Sequence, residues 1–201
     1  MSDIFRTIDH TAEAVFVEKR SRFLSFAYPV QTAGEVKELV GALEKKFYDA
    51  RHVCWAYVLG PSADVFRAND NGEPSGTAGR PILGQINSRG LTDVLVAVVR
   101  YFGGIKLGTP GLIKAYRQAA SDVLDEAGIR ECHVTRRLEF SFGYTVMNDV
   151  MKVTRMPGVE MISNTFDNVC AMTLNVEADQ VDAVLGRLSK IEGLTLSDSN
   201  E

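Results

Sequence analysis

The apolar residues of this chain recur in two rhythms, short alternating or continuous runs and longer stripes at helical spacing, which together predict an α+β protein. Residues 14–18 and 22–30 read as two strands around the basic turn Lys19-Arg20-Ser21-Arg22. Thr32-Ala33-Gly34-Glu35 is a capping box, and Val36, Leu39, Val40, Leu43 and Phe47 after it share one helical face. Residues 52–59 form a strand, and the Gly-, Pro-, Ser-, Asn- and Asp-rich residues 60–71 read as a loop. A short helix is expected over 81–88, begun by Pro81. Val94-Leu95-Val96-Ala97-Val98-Val99 has the continuous aliphatic look of a strand covered on both faces. A helix follows over about 110–127, with Thr109 as its N-cap, Leu112, Tyr116, Ala119, Ala120, Val123 and Ala127 inward, and Gly128 as its stop.

Beyond residue 129 the pattern changes. A strand over 132–142, a helix around Met147–Thr154, strands over 159–166 and 169–176 joined at Asp167-Asn168, a helical stripe from Val181 to Ile191 and a last strand at 194–196 give β-α-β-β-α-β. That order is the ferredoxin-like split arrangement. Two domains are expected, 1–129 and 130–201.

Composition changes this picture little. Hydrophobic residues make up 45% and charged residues 24%, ordinary for a globular protein. No apolar run is long enough for a membrane span, and the N-terminus lacks a signal-peptide pattern, so a cytoplasmic protein is expected. Cys54, Cys132 and Cys170 form no C-x-x-C pair, which argues against a disulfide framework or a zinc site; no metal and no cofactor is expected. Cys54 and His52 fall on one strand face and read as a buried thiol beside a structural histidine, with a nucleophile pair as the alternative. The net charge of -4 argues against bulk nucleic-acid affinity and DNA specificity. Residues 1–129 balance 15 basic against 15 acidic side chains, whereas 130–201 hold 7 against 11, so any basic surface belongs to the first part.

The candidate chemistry lies in two glycine-studded stretches, 69–81 and 100–111. The second has strand, glycine loop and helix N-terminus in sequence, an arrangement that offers free N–H groups and a helix dipole to an anion. Arg100, Gly103, Gly104, Lys106, Gly108 and Thr109 are its candidate anion or nucleic-acid contacts, with Arg80 from the first stretch and Lys114 and Arg117, three apart on the next helix. The alternative is that the glycines only permit tight turning and close packing. Thr109 stands where a phosphate-binding P-loop requires lysine, and no G-x-G-x-x-G occurs, so neither nucleotide hydrolysis nor dinucleotide binding is supported. In the first stretch Asp70 and Glu73 are the candidate catalytic carboxylates if the protein is an enzyme. Their other reading is a turn at Asp70-Asn71-Gly72, with Glu73 paired to an arginine.

The runs Asp70-Asn71-Gly72-Glu73-Pro74-Ser75-Gly76-Thr77-Ala78-Gly79-Arg80-Pro81-Ile82-Leu83 and Arg100-Tyr101-Phe102-Gly103-Gly104-Ile105-Lys106-Leu107-Gly108 resemble the signature of the IMPACT family, in its bacterial YigZ branch. Lys19-Arg20-Ser21-Arg22-Phe23 and His52-Val53-Cys54-Trp55-Ala56-Tyr57 resemble it too. Pro110 departs from the glycine common in the family and removes one N–H donor. The resemblance implies an N-terminal domain of the ribosomal-protein-five domain-two type and a ferredoxin-like C-terminal domain similar to the last domain of elongation factor G. Eukaryotic relatives restrain activation of the amino-acid-starvation kinase by binding its activator. The expectation is a non-enzymatic translation-associated regulator that contacts RNA, the ribosome or a translation factor through the basic Gly-rich face, with no membrane partner. A small enzyme acting on a phosphorylated metabolite or nucleotide is the alternative, and a protein-interaction domain using the acidic C-terminal part is a third.

Overall fold

The computed structural model of the 201-residue chain describes residues 4–167 and 169–197. It divides into two compact units, one of Phe5–Cys132 and one of His133 onward with Ile4.

In the first unit five strands form one antiparallel sheet. They are β2 (Ala12–Glu18), β3 (Ser21–Pro29), β4 (His52–Leu59), β5 (Val65–Asn69) and β6 (Val94–Tyr101), in the order β2-β3-β6-β4-β5. β1 (Ile4–Ile8) pairs separately with β7 (Ile129–His133). Three helices sandwich the five-stranded sheet: α1 (Ala33–Lys46) on one face, α2 (Gly79–Ser88) and α3 (Gly108–Glu126) on the other. The aliphatic run of β6 is explained by this layering. Val94, Val96 and Val98 pack with Ile82, Ile86 and Tyr116 below α2 and α3, while Leu95 meets Val36 and Val40, and Ala97 and Val99 meet Leu43. Covering on both faces here comes from a central antiparallel strand.

Local chemistry accounts for the element ends. The Thr32 hydroxyl accepts from the Glu35 N–H at 3.2 Å, and the Glu35 carboxylate accepts from the Gln31 N–H at 2.7 Å. The capping box therefore closes one residue earlier than the pattern assumes. Lys19 and Arg20 both have positive φ, 45° and 67°, as a two-residue turn between twisted strands requires.

Several boundaries differ from expectation. Residues 60–71 contain β5, an edge strand with exposed Val65, Phe66 and Arg67, so it lacks the half-buried alternation that marks a strand. α2 begins at Gly79, with Pro81 third, because a carboxylate from the preceding loop caps it. α3 begins at Gly108, so Thr109 is its second residue and no side chain caps it. The strand read over 132–142 is two strands, β7 and β8 (Thr135–Phe142), which belong to different sheets.

The second unit holds β8, α4 (Met147–Val153), β9 (Val159–Thr165), β10 (Cys170–Glu177), α5 (Val181–Leu188) and β11 (Thr195–Ser197). Its sheet is antiparallel in the order β11-β8-β10-β9. Phe140, Phe142, Met172 and Leu174 pack against Val150, Val184 and Leu188. The expected turn at Asp167-Asn168 includes Asn168, which lies outside the described residues.

Candidate functional site

The loop between β5 and α2 is built around Asp70. Its Oδ1 accepts from the N–H groups of Ala78 (3.0 Å) and Gly79 (2.8 Å), and its Oδ2 from Gly76 (2.8 Å). Burial would raise the Asp70 pKa, but the three backbone donors and the Arg80 charge outweigh that and hold it below the ordinary value. Asp70 therefore caps α2 from outside the helix, and its oxygens are occupied. The three backbone bonds give Asp70 the structural role of its turn reading. Among the described residues no three His, Cys, Asp or Glu side chains cluster closely enough to hold a metal ion.

Glu73 has the opposite environment. Its side chain is only 3% exposed. Oε1 accepts from Arg100 Nη1 at 2.6 Å and from the Tyr116 hydroxyl at 2.9 Å. The sheet register explains the meeting, since Arg100 on β6 lies between Phe23 of β3 and His52 of β4. The guanidinium is 5.6 Å from the Phe23 ring and 5.7 Å from the Phe102 ring. Glu73 does pair with an arginine, as its turn reading proposed. Arg100, expected as a surface cation, is instead buried, with its side chain 8% exposed and its charge offset by Glu73. Only Nη1 has an acceptor among the described residues, and the buried Nε has none.

His52 stands beside this pair. A 2.7 Å contact to the Asn71 carbonyl requires Nδ1 to carry a proton and donate it. Nε2 is left facing Glu73 Oε1 at 4.0 Å. The Cys54 thiol donates to the Asp70 carbonyl at 2.9 Å and lies 3.4 Å from the Tyr116 hydroxyl. Burial first, then the Glu73 and Asp70 charges, push its pKa up to about 12 against the lowering effect of Tyr116. Its environment favours the thiol over the thiolate. Burial, followed by Cys54 and Glu73, likewise raises the Tyr116 phenol.

The second glycine stretch folds over this floor. Gly103 packs against the Lys19-Arg20 turn so closely that a Cβ would overlap the Arg20 carbonyl, and its N–H donates to Ser21 Oγ at 3.3 Å. Gly103 is thus a packing glycine, and its expected anion contact is not what the backbone offers. Gly104 and Lys106 are exposed. Gly108 adopts a φ of 72° and turns the chain into α3, where the first-turn N–H groups of Gly108 and Thr109 lack intrahelical acceptors.

Two clefts result, both within the first unit. One of about 460 Å³ is lined by Arg51, His52, Glu73, Arg100, Phe102, Lys106, Gly108 and Thr109 among others. The other, about 530 Å³ between α2 and α3, holds Arg80 and Arg117. The predicted residues are therefore divided: Arg100, Lys106, Gly108 and Thr109 meet in the first cleft, and Arg80 with Arg117 in the second. Lys114 is exposed on α3 and lines neither. Arg51 and Phe102, which no sequence motif marks as site residues, also line the first cleft, as does His52, which the sequence predicts as structural. Its place two residues before Cys54 on a strand face was the available signal.

The sequence profile of the Impact N-terminal domain matches residues 19–124, more than half of the chain. The IMPACT family member YvyE of Bacillus subtilis (strain 168) is 40% identical over 144 residues, 72% of this chain and 66% of that protein. The IMPACT family member YigZ of Escherichia coli (strain K12) is 40% identical over 108 residues, 53% of each chain. The match thus spans less than two thirds of both relatives. A solved structure described as the crystal structure of an hypothetical protein covers 100% of both chains at 25% identity, with a TM-score of 0.76. A solved chain described as the two-domain translational regulator Yih1 aligns over 61% of this chain at 23% identity, but its TM-score of 0.37 carries no argument.

Proposed function

This chain belongs to the IMPACT family, and from that premise we propose that it is a non-enzymatic, translation-associated binding module that contacts RNA, the ribosome or a translation factor. The contact is made by the Gly-rich face of its first domain, residues 1–129. The observation that carries this reading is the uncapped start of α3, which opens beside Lys106 and the incompletely bonded Arg100 guanidinium in one cleft. Free helix N–H groups, a lysine and an arginine form an anion receptor. Arg80, Lys114 and Arg117 extend the positive charge around α2 and α3. The first sheet is read as the ribosomal-protein-five domain-two type. The β11-β8-β10-β9 order of the second unit supports a ferredoxin-like reading of residues 130–201. No described helix is long and apolar enough to cross a membrane, and the proposed setting is the cytoplasm.

The test is co-sedimentation with ribosomes over a salt series, beside a Lys106→Glu/Arg117→Glu double variant. Binding that weakens with salt and disappears in the variant is expected. Equal binding by the variant, or none by either protein at low salt, overturns the reading. One observation favours the alternative of a small enzyme acting on a phosphorylated metabolite: His52 Nε2 and Glu73 lie together in the same cleft. That reading expects phosphate-ester turnover that His52→Gln removes while folding is kept.

A further inference from the structure

We propose that the cleft of about 460 Å³ holds a nucleoside phosphate monoester, with the phosphate on the N-terminus of α3 and the base against Phe102. This deepens the anion-binding reading by naming the ligand class of that site.

A helix N-terminus alone does not make a site. Here a second, independent feature points to a ligand. The Arg100 side chain is more than nine-tenths buried, lines the cleft and gives only Nη1 to the protein. Its Nε is buried without an acceptor, a loss that native interiors rarely tolerate. Glu73 engages the guanidinium from one corner only, although the fork geometry of arginine suits a second acceptor.

Charge selects the kind of anion. Glu73 and Arg100 offset one another within the cleft, which leaves Arg51 and Lys106 without ion-pair partners among the described residues. Two uncompensated cations match a phosphate monoester, which carries about 1.5 to 2 negative charges at neutral pH, better than the single charge of an internal phosphodiester.

Shape selects the rest of the ligand. The cleft falls within the range of small-molecule sites, about 300–1,000 Å³. Its lining includes Pro74, Phe102, Leu107 and Leu112, and Phe102 is 48% exposed. An exposed aromatic beside a phosphate receptor suits a stacked base. The ligand is a free mononucleotide or the phosphorylated end of an RNA, which share this chemistry.

The experiment titrates the full chain with adenosine 5′-monophosphate, adenosine, inorganic phosphate, and a 5′-phosphorylated oligoadenylate with its 5′-hydroxyl counterpart. Backbone amide resonances of Gly108 and Thr109 and the Arg100 Nε resonance are followed. The monophosphate is expected to shift all three, with adenosine at least about tenfold weaker. Arg51→Glu and Lys106→Glu, both at exposed positions, are expected to weaken the monophosphate about tenfold with an unchanged thermal midpoint. Tighter binding of the 5′-phosphorylated oligomer than of the mononucleotide identifies an RNA end as the source, and the reverse identifies a free nucleotide. Unmoved resonances at millimolar monophosphate, equal affinity for adenosine, or equal affinity for the 5′-hydroxyl oligomer overturns the proposal. No ribosome binding by the native chain, with monophosphate binding present, would remove the translation reading and leave this site standing; the opposite pair of results would remove only the site.

Discussion

Glu73 and Arg100 illustrate how one buried pair governs its surroundings. Each is nearly withdrawn from water, and each offsets the charge of the other. Glu73→Gln would leave the arginine charge uncompensated, and chemical denaturation is expected to register a loss of about 3–5 kcal/mol. The sequence reading offered Glu73 either as a catalytic carboxylate or as an arginine partner. The sheet register, which brings Arg100 beside His52, supplies the arginine partner. Asp70 makes a second residue-scale prediction. Its folded pKa lies below its ordinary 3.8, so its stabilisation is present above that value and disappears as pH falls through the folded pKa. On acidification below about pH 4 the native protein should lose stability more steeply than Asp70→Asn, as read from thermal midpoints across pH.

The elements depend on small devices at their ends. α2 starts at Gly79 because Asp70 receives two of its first N–H groups and that of Gly76. Asp70→Ala should therefore destabilise the protein by about 1–2 kcal/mol in urea unfolding, with loss of protection at the Ala78 and Gly79 amides in hydrogen exchange. The β2–β3 hairpin places Lys19 and Arg20 in the left-handed region, a conformation that costs a non-glycine residue about 1–2 kcal/mol. Arg20→Gly should raise stability by part of that amount. Gly103→Ala should lower it by about 1–3 kcal/mol, because the added methyl meets the Arg20 backbone, which cannot move aside as a side chain would. A loop and a hairpin far apart in sequence are thereby locked together.

At the scale of the whole molecule, each unit has its own buried core, with no residue shared between the core clusters. Residues 5–132 expressed alone are expected to unfold cooperatively, with near-coincident transitions by tryptophan fluorescence at Trp55 and by circular dichroism. Loss of cooperativity would mean that the first core needs the second unit. Charge divides the same way: the balanced first part carries both clefts, and the acidic excess lies in the second part.

By itself the amino-acid sequence determined the periodic elements, because side-chain spacing of two or about 3.6 is a local property. It was enough for the β-α-β-β-α-β order, the two-sided burial of Val94–Val99 and the hairpin at Lys19-Arg20, and its long glycine motifs carried the family. The edge strand β5 stayed hidden because exposed residues on a sheet border show no alternation. The start of α2 stayed hidden because its cap comes from a loop eight and nine residues earlier in the chain. Tertiary structure alone decided the site. Arg100, Glu73, His52 and Tyr116 come from two strands, a loop and a helix, and register and packing bring them together. The same packing made Gly103 a spacer, occupied Asp70 and separated Arg80 and Arg117 from Lys106, since which side chain remains free depends on neighbours that no local pattern encodes.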